Sequence, residues 1–398
     1  MRNQAPAPIE SSGRAGGLRV RAIDERRHAR FLLTATDPGA AGRISFLQWP
    51  AWGRVKSAWR SESLGWFSGS ELVGTALVLH RDLPALPLLG RRSLAYIPEG
   101  PSADWFGSGR AVADWISPLI EYLRAAGVFS VKLGPKLVAR RWTAASVKAG
   151  MADPHRASFA ELPADATYPE ARRLIEELEA LGWRRESTSG HGIADVQPRY
   201  FLELPLHGRS SAELFAGLNA QWRRNVRIAE RAGVKVWRAS VDDLPVFHAV
   251  YVETARRDGF TPRPLSYFEL MFRELLAADP DGIRLYLAGA DGVCTAGATL
   301  VRFGRRAWFG YGASTTERRE LRASNALQWQ MMQDCLDDGF ECYDLRGVGG
   351  TLDPEHAMFG LLRFKVGTGA DTVEYPGEYD LALSRPLALA MRIYLRRR

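Results

Sequence analysis

The amino-acid sequence predicts a mixed α/β fold laid out as two units of the same plan, and three observations predict it. At 398 residues the chain exceeds one ordinary core, at roughly 100 to 200 residues per domain. Two distant segments repeat one order of elements: a turn-centred hairpin, a strand, a helix and a strand. A hydrophobic content of 46% with 25% charged residues is that of a folded globular protein, which excludes disorder for most of the chain.

The opening MRNQAPAPIESSGRAGG is rich in small residues and has no apolar core segment, so residues 1–17 read as a frayed tail rather than a signal peptide. In the first repeat, GWFSGSELVGTALVL alternates apolar and small residues around a G-S-E turn, and SLAYIPEGP supplies the next strand. The helix SPLIEYLRAAG then leads into the strand VFSVKLGP. In the second repeat, LYLAGADGVCTAGATLV is the hairpin, AWFGYGAS the strand, ALQWQMMQDCLDDG the helix and FECYDLRGV the closing strand. Gly127 and Gly339 stand where helix C-caps belong. This order, used twice, is the one expected of N-acyltransferase-like (GNAT-like) domains.

Between the repeats, Ser210 and Glu213 have capping-box spacing, Leu214, Leu218, Trp222 and Val226 recur every four residues, and Gly233 ends the run. The spacing predicts one amphipathic helix over 210–233. Its polar face is basic: Arg223, Arg224, Arg227, Arg231 and Lys235 meet one acid, Glu230. A solvated charged face and a phosphate-binding face explain that pattern equally well.

The net charge of +8 favours polyanionic or phosphorylated partners. The three cysteines, Cys294, Cys335 and Cys342, form no C-x-x-C pair, which argues against a disulfide framework or a zinc site and fits a reducing cytoplasm. No uncharged apolar run approaches the roughly 18 residues of a membrane span. The histidines lack H-x-x-x-H spacing and no G-x-S-x-G elbow occurs, so zinc and serine hydrolysis are poorly supported. Coenzyme A fits poorly too. Its pyrophosphate is usually held on a Gly-rich turn opening a helix, whereas RRELRASNALQW carries arginines and no glycine there.

Individual candidates are weaker than these patterns. GLLRFKVGTG, residues 360–369, puts Lys365 before its glycines, the reverse of the Walker order, and by itself reads as a buried strand end. A lysine beside an aromatic at a cleft edge would nonetheless hold a phosphate or an acyl-transfer oxyanion. Lys56, Arg223 and Arg227 are cations suited to phosphate. Asp104 and Asp344 stand at strand ends, where a base or amine-orienting acid would be useful, although Asp344 reads more simply as pairing with Arg346 or capping a turn.

The stretches FLQWPAWGRVK, YIPEGPSADW, WRRNVRIAERAGV, FHAVYVETARRDGFTPRPLSYF, WFGYGASTTERRELRASNALQWQMM, YDLRGV and GLLRFKVGTGADTVEYPGEYDL resemble the FemABX aminoacyltransferases, in the actinobacterial FemX form. The resemblance is ordered and runs from about residue 44 to 398. It implies two GNAT-like domains related by duplication: 18–198 plus 376–398 on the precursor-binding side, and 199–375 on the acyl-transfer and tRNA side. AERAGVKVWRASVDDL leaves no room for the coiled-coil arm of some staphylococcal relatives.

The implied reaction passes a small amino acid, glycine or a similar residue, from aminoacyl-tRNA to the stem-peptide amine of a peptidoglycan precursor, lipid II or its UDP-linked form, building an interpeptide bridge. Aminoacyl-tRNA is a co-substrate, and neither metal nor coenzyme A is needed. A cytoplasmic enzyme with peripheral contact to the inner membrane face is expected. By the same resemblance Lys56 and Arg223 or Arg227 contact precursor phosphates, Asp104 lies near the acceptor, Tyr96 and Tyr311 bind substrate, and Phe364 with Lys365 serves the tRNA end and the transfer step. Two positions depart from the family pattern: Glu99 replaces a basic residue before G-P, and Ala370 replaces a glycine. Glu99 leaves room for a cationic acceptor, so the same chemistry on an antibiotic scaffold is the alternative enzyme, and a non-catalytic RNA-binding protein the alternative outside that class.

Overall fold

A computed structural model describes residues 17–34, 44–83, 90–107, 109–185 and 197–396, and the expected tail over 1–17 falls outside these except for Gly17. The chain divides into two compact units. Unit 1 holds residues 1–139, 168–198 and 375–398, and unit 2 holds 140–167 and 199–374. The segment 140–167, expected with the first unit, clusters with the second, because its short strand at Arg140–Trp142 pairs with Asp371–Glu374. That pairing joins residues more than two hundred positions apart, beyond the reach of any local pattern.

In unit 1, β1 (Arg19–Ala22) lies against β2 (Arg60–Ser68), which forms a hairpin with β3 (Glu71–Asp82). Gly69 makes that turn at φ 61°, a left-handed conformation open to glycine. β4 (Ser93–Ile97) pairs antiparallel with β3 and parallel with β6 (Val128–Leu133), β5 (Ser102–Ala103) adds to β3, and β16 (Tyr379–Ala382) closes the edge along β6. The helices are α1 (Glu25–Thr34), α2 (Pro50–Val55), α3 (Val112–Ala125), α5 (Pro169–Ala180) and α12 (Arg385–Arg396).

α3 shows why these residues form a helix. Asp114 accepts the Ala111 N–H at 3.0 Å, Val112, Trp115, Ile116, Leu119 and Leu123 recur on one buried face, and Gly127 stops the run at φ 79°. Trp115, on that buried face, packs against Trp66 of β2, whose indole N–H donates to the Trp115 carbonyl at 2.8 Å.

Unit 2 repeats the plan around a longer sheet of order β10 (Lys235–Ala239), β11 (Ile283–Ala290), β12 (Val293–Phe303), β13 (Arg306–Ser314), β14 (Cys342–Val348), β9 (Tyr200–Pro205), β15 (Asp371–Glu374), β7 (Arg140–Trp142), β8 (Ala166–Thr167). The β11–β12 turn is made by Asp291 and Gly292 at φ 53° and 75°, both left-handed as a two-residue hairpin requires. Its helices are α4 (Ala144–Ala152), α6 (Ser211–Gly217), α7 (Ala220–Arg231), α8 (Leu244–Asp258), α9 (Leu265–Ala278), α10 (Ala323–Asp337) and α11 (Phe359–Val366). As expected, Gly339 ends α10 at φ 76°.

Two local expectations are corrected. The single helix over 210–233 is two helices, α6 and α7. The Ser210–Glu213 capping box opens α6, but Asn219 then accepts the Trp222 N–H at 2.8 Å and starts a new helix. Leu214, Leu218, Trp222 and Val226 are all buried, so the apolar period runs through the corner and conceals it. Lys365, read as a strand end, stands in the last turn of α11.

Candidate active site

β13 and β14 are parallel neighbours only at their starts. Arg306 faces Cys342, Ala307 faces Tyr343 and Trp308 faces Asp344, and there the pairing ends. Both strands continue, β13 along β12 and β14 along β9, so a fork opens between them. Each prong carries an irregularity. Opposite Leu300 and Ala298, β13 fits an extra residue between Phe309 and Gly312, and the Tyr311 N–H turns to the Thr299 hydroxyl at 2.9 Å. On β14 the register shifts between Asp344 and Gly347, with Arg346 at φ 62°. Such bulges sharpen local twist, which is what parts the two prongs.

Lys365 reaches this fork from α11. Its side chain is nearly enclosed, with 5% of the residue exposed, and Nζ donates to the Gly347 carbonyl at 2.8 Å. Burial pulls its pKa down to about 7, the Asp344 carboxylate pulling upward and Arg346 reinforcing the fall. Asp344 is fully buried. One of its oxygens accepts the Arg346 N–H at 2.7 Å, the turn-capping role read from the sequence, and the other lies 3.7 Å from the Arg306 guanidinium. Arg306 in turn sits 2.7 Å from Glu203. The base of the fork is therefore lined by alternating charges, with a lysine whose charged form burial disfavours.

α11 is seated against the α6–α7 corner. The Trp222 indole N–H donates to the Phe364 carbonyl at 2.8 Å, and the two rings lie 4.7 Å apart. Gly367 is required at the contact, because a Cβ there would meet Trp222 Cδ1 at 2.3 Å. At the same corner, Arg223 spends its guanidinium on carbonyls at the end of α6, those of Leu218 and, at 2.9 Å, Ala216. Arg227 stacks on Phe215 at 5.4 Å. Lys148 of α4 titrates below its ordinary value through partial burial and then the positive charge of Arg223, so two cations converge here.

The structure thus gathers Lys365, Phe364, Arg223 and Arg227 around α11 and the α6–α7 corner of unit 2. Tyr311, on the β13 prong, packs into an aromatic nest, its hydroxyl 3.1 Å from that of Tyr267 and its ring edge-on to Phe268 at 5.1 Å. In unit 1, Lys56 ends α2 with Nζ over the Trp52 ring at 4.6 Å. The Lys56 carbonyl accepts the N–H of Trp59, whose ring lies 6.3 Å from that of buried Tyr96. The Tyr96 hydroxyl donates to Glu378 at 2.5 Å, and burial followed by that carboxylate pushes its pKa upward. Asp104 follows β5 and accepts the Gly107 N–H at 3.1 Å, tying a turn.

A sequence model of the FemAB family matches residues 40–291 and 284–395. The chain belongs to the FemAB family. The lipid II:glycine glycyltransferases of Staphylococcus saprophyticus subsp. saprophyticus and Staphylococcus aureus (strain MRSA252) are 23% and 22% identical to it, each comparison covering 86% of this chain and 89% of the relative. Among solved structures, the crystal structure of FemX superposes with a TM-score of 0.74 at 20% identity, covering 94% of this chain and 99% of that one. A tandem GNAT protein from the clavulanic acid biosynthesis pathway gives 0.52 at 12% identity, covering 92% and 99%. These likenesses establish the fold as the duplicated GNAT type read from the sequence.

Within this FemAB fold, the two departures have plain structural settings. Glu99 is buried, accepting from the Ser45 hydroxyl at 2.6 Å and from Lys136 Nζ at 3.2 Å, so its charge is met inside the protein. Ala370 is fully buried in the unit 2 core. Sequence reasoning missed Arg306, Glu203, Lys136 and Glu378 as polar supports. Only Glu378 lay in a family-like stretch, and nothing local marks a strand residue as the partner of another far along the chain.

Proposed function

We propose that the protein transfers a small amino acid from aminoacyl-tRNA to the stem-peptide amine of lipid II, forming an interpeptide bridge. Membership of the FemAB family, with relatives named as lipid II:glycine glycyltransferases, supports an aminoacyltransferase acting on peptidoglycan. The observation that carries the chemistry is Lys365, enclosed at the fork with its Nζ on the Gly347 carbonyl and its pKa lowered by burial.

Aminolysis of an aminoacyl ester begins from an activated acyl group, so positioning and charge stabilisation dominate. The acceptor nitrogen attacks the ester carbonyl carbon, the carbon–oxygen bond to the ribose breaks, and the amine proton must reach the departing ribose oxygen. In its charged form Lys365 stabilises the oxyanion and can release a proton to that oxygen. In its neutral form it can take one from the attacking amine. A pKa near 7 lets one group do both at neutral pH. Phe364, held by Trp222, borders the acyl group, and Tyr311 presents the opposite prong. Arg223, Arg227 and Lys148 offer cations to RNA or precursor phosphates, and Lys56 offers one in unit 1, with Asp104 and Tyr96 assigned to the acceptor side.

The test is incubation of the protein with a mixed charged-tRNA pool and a lipid II analogue, followed by mass spectrometry of the acceptor. A stem extended by one or more small residues, dependent on charged tRNA, is expected. Product only on a small cationic amine would replace lipid II with an antibiotic-type acceptor. Tight RNA binding without transfer would overturn the enzyme.

A further inference from the structure

The two prongs of the fork become accessible only where they part. Arg306, Ala307 and Trp308 of β13 are buried, whereas Phe309, Gly310, Tyr311 and Gly312 are each half-buried. On β14 the buried run Cys342–Leu345 likewise gives way at Arg346 and Gly347. The opening beside the Gly347 carbonyl, where Lys365 Nζ is held, is therefore faced by the bulged stretch 309–312. Along that stretch the side chains divide between the two faces of the sheet. Tyr311 turns to the face of α8 and α9, where its ring meets those of Tyr251, Tyr267 and Phe268. Phe309 turns to the face of α10 and α11, packing on the core that holds Leu345, Leu362 and Val366. Leu345 is wholly buried, so of these two strand residues on the side of Lys365 it is Phe309 that reaches the opening.

Its ring is fixed there. A Cβ on Gly312 would stand 2.3 Å from Phe309 Cζ and 3.0 Å from Cε2, so the ring lies tight beneath the bulge, with the core closing it from behind. A rigid aromatic wall beside an acyl centre selects by size, because a close-packed surface has no slack for extra atoms. One methylene more or less in an apolar pocket changes kcat/KM by roughly 10- to 200-fold. We infer that Phe309 sets the size limit on the transferred amino acid, admitting glycyl and alanyl groups and excluding branched and aromatic ones. The inference rests on the acyl transfer at Lys365 proposed above and names the residue that selects its substrate.

One tRNA is charged in turn with glycine, alanine, valine and phenylalanine, and single-turnover transfer to a lipid II analogue is measured for each. A single RNA body removes any preference for tRNA sequence. The unaltered protein should transfer glycine and alanine and be slower with valine by at least about tenfold. Phe309→Ala should raise valine relative to glycine by about tenfold or more, and Phe309→Leu by less. Gly312→Ala drives the ring toward the opening and should lower alanine relative to glycine. Ratios are the readout, since a merely loosened core slows all four donors alike. Melting establishes that each variant is folded, and should Phe309→Ala misfold, Phe309→Leu carries the test. Unchanged ratios in folded variants, or an unaltered protein that transfers valine as fast as glycine, overturn the inference and leave the proposed function standing. No transfer of any of the four amino acids overturns both.

Discussion

The ammonium of Lys365 donates to the Gly347 carbonyl at 2.8 Å, which ties the last turn of α11 to the prong of β14 that leaves its parallel partner. Replacing Lys365 by Met keeps the length of the side chain and removes the charge. Transfer should fall by at least about a hundredfold, the scale of losing one oxyanion stabiliser. The fold should survive with a loss of about 1–3 kcal/mol, because the Gly347 carbonyl is left without this donor. Single-turnover transfer and a thermal melt check both; near-normal transfer by a folded variant removes Lys365 from the mechanism.

The depressed pKa of Lys365 also makes stability depend on pH. The folded group titrates at about 7 and the unfolded one near 10.5, so between these values the unfolded chain binds more protons and stability rises with pH. Below about 7 both states are protonated and the contribution is flat. Urea unfolding at pH 7 and pH 9 should show the unaltered protein gaining on Lys365→Met at the higher pH. Parallel curves would mean that the lysine titrates normally.

Two glycines of the same segment should respond in opposite ways. At Gly367 a Cβ would collide with the Trp222 ring, at 2.3 Å and 2.5 Å from two of its atoms, so Gly367→Ala should destabilise by about 1–3 kcal/mol and slow transfer by moving Phe364. At Gly360, inside α11, nothing lies within 4 Å, and Gly360→Ala should stabilise by about 0.5–1 kcal/mol. Denaturant midpoints for the pair check this.

Arg223 and Arg227 should separate. Arg223→Ala removes donors from the end of α6 and should cost about 1–2 kcal/mol of stability as well as raising KM for the phosphate-bearing substrate it serves. Arg227→Ala, from an exposed stacked position, should raise KM with little change in melting. Steady-state kinetics beside melts would show it, and equal stability losses would contradict the capping role of Arg223.

The parts legible in the sequence were those made by neighbours in the chain. Hairpins turning at Gly69 and at Asp291–Gly292, and helices stopped by Gly127 and Gly339, follow from local chemistry. The corner at Asn219 was hidden because burial of Leu218 and Trp222 preserves the four-residue period on both sides of it. α11 was hidden because two glycines beside an alternating Phe-Lys-Val look like a strand end. The family resemblance singled out Phe364 and Lys365, but the lowered pKa could not be read, since it comes from enclosure by other elements and from Asp344. The ion pairs of Arg306 with Glu203 and Asp344 join three strands that the sequence keeps far apart.

The backbone passes between the units at 139/140, 167/168, 198/199 and 374/375. During synthesis, β6 must wait for β16, nearly the whole second unit later, before its free edge is covered. Domains ordinarily fold in the order in which they emerge from the ribosome. Here the first to begin is also the last to be completed, so an arrested nascent chain would present an open sheet edge, and no single cut in the gene would release either half intact.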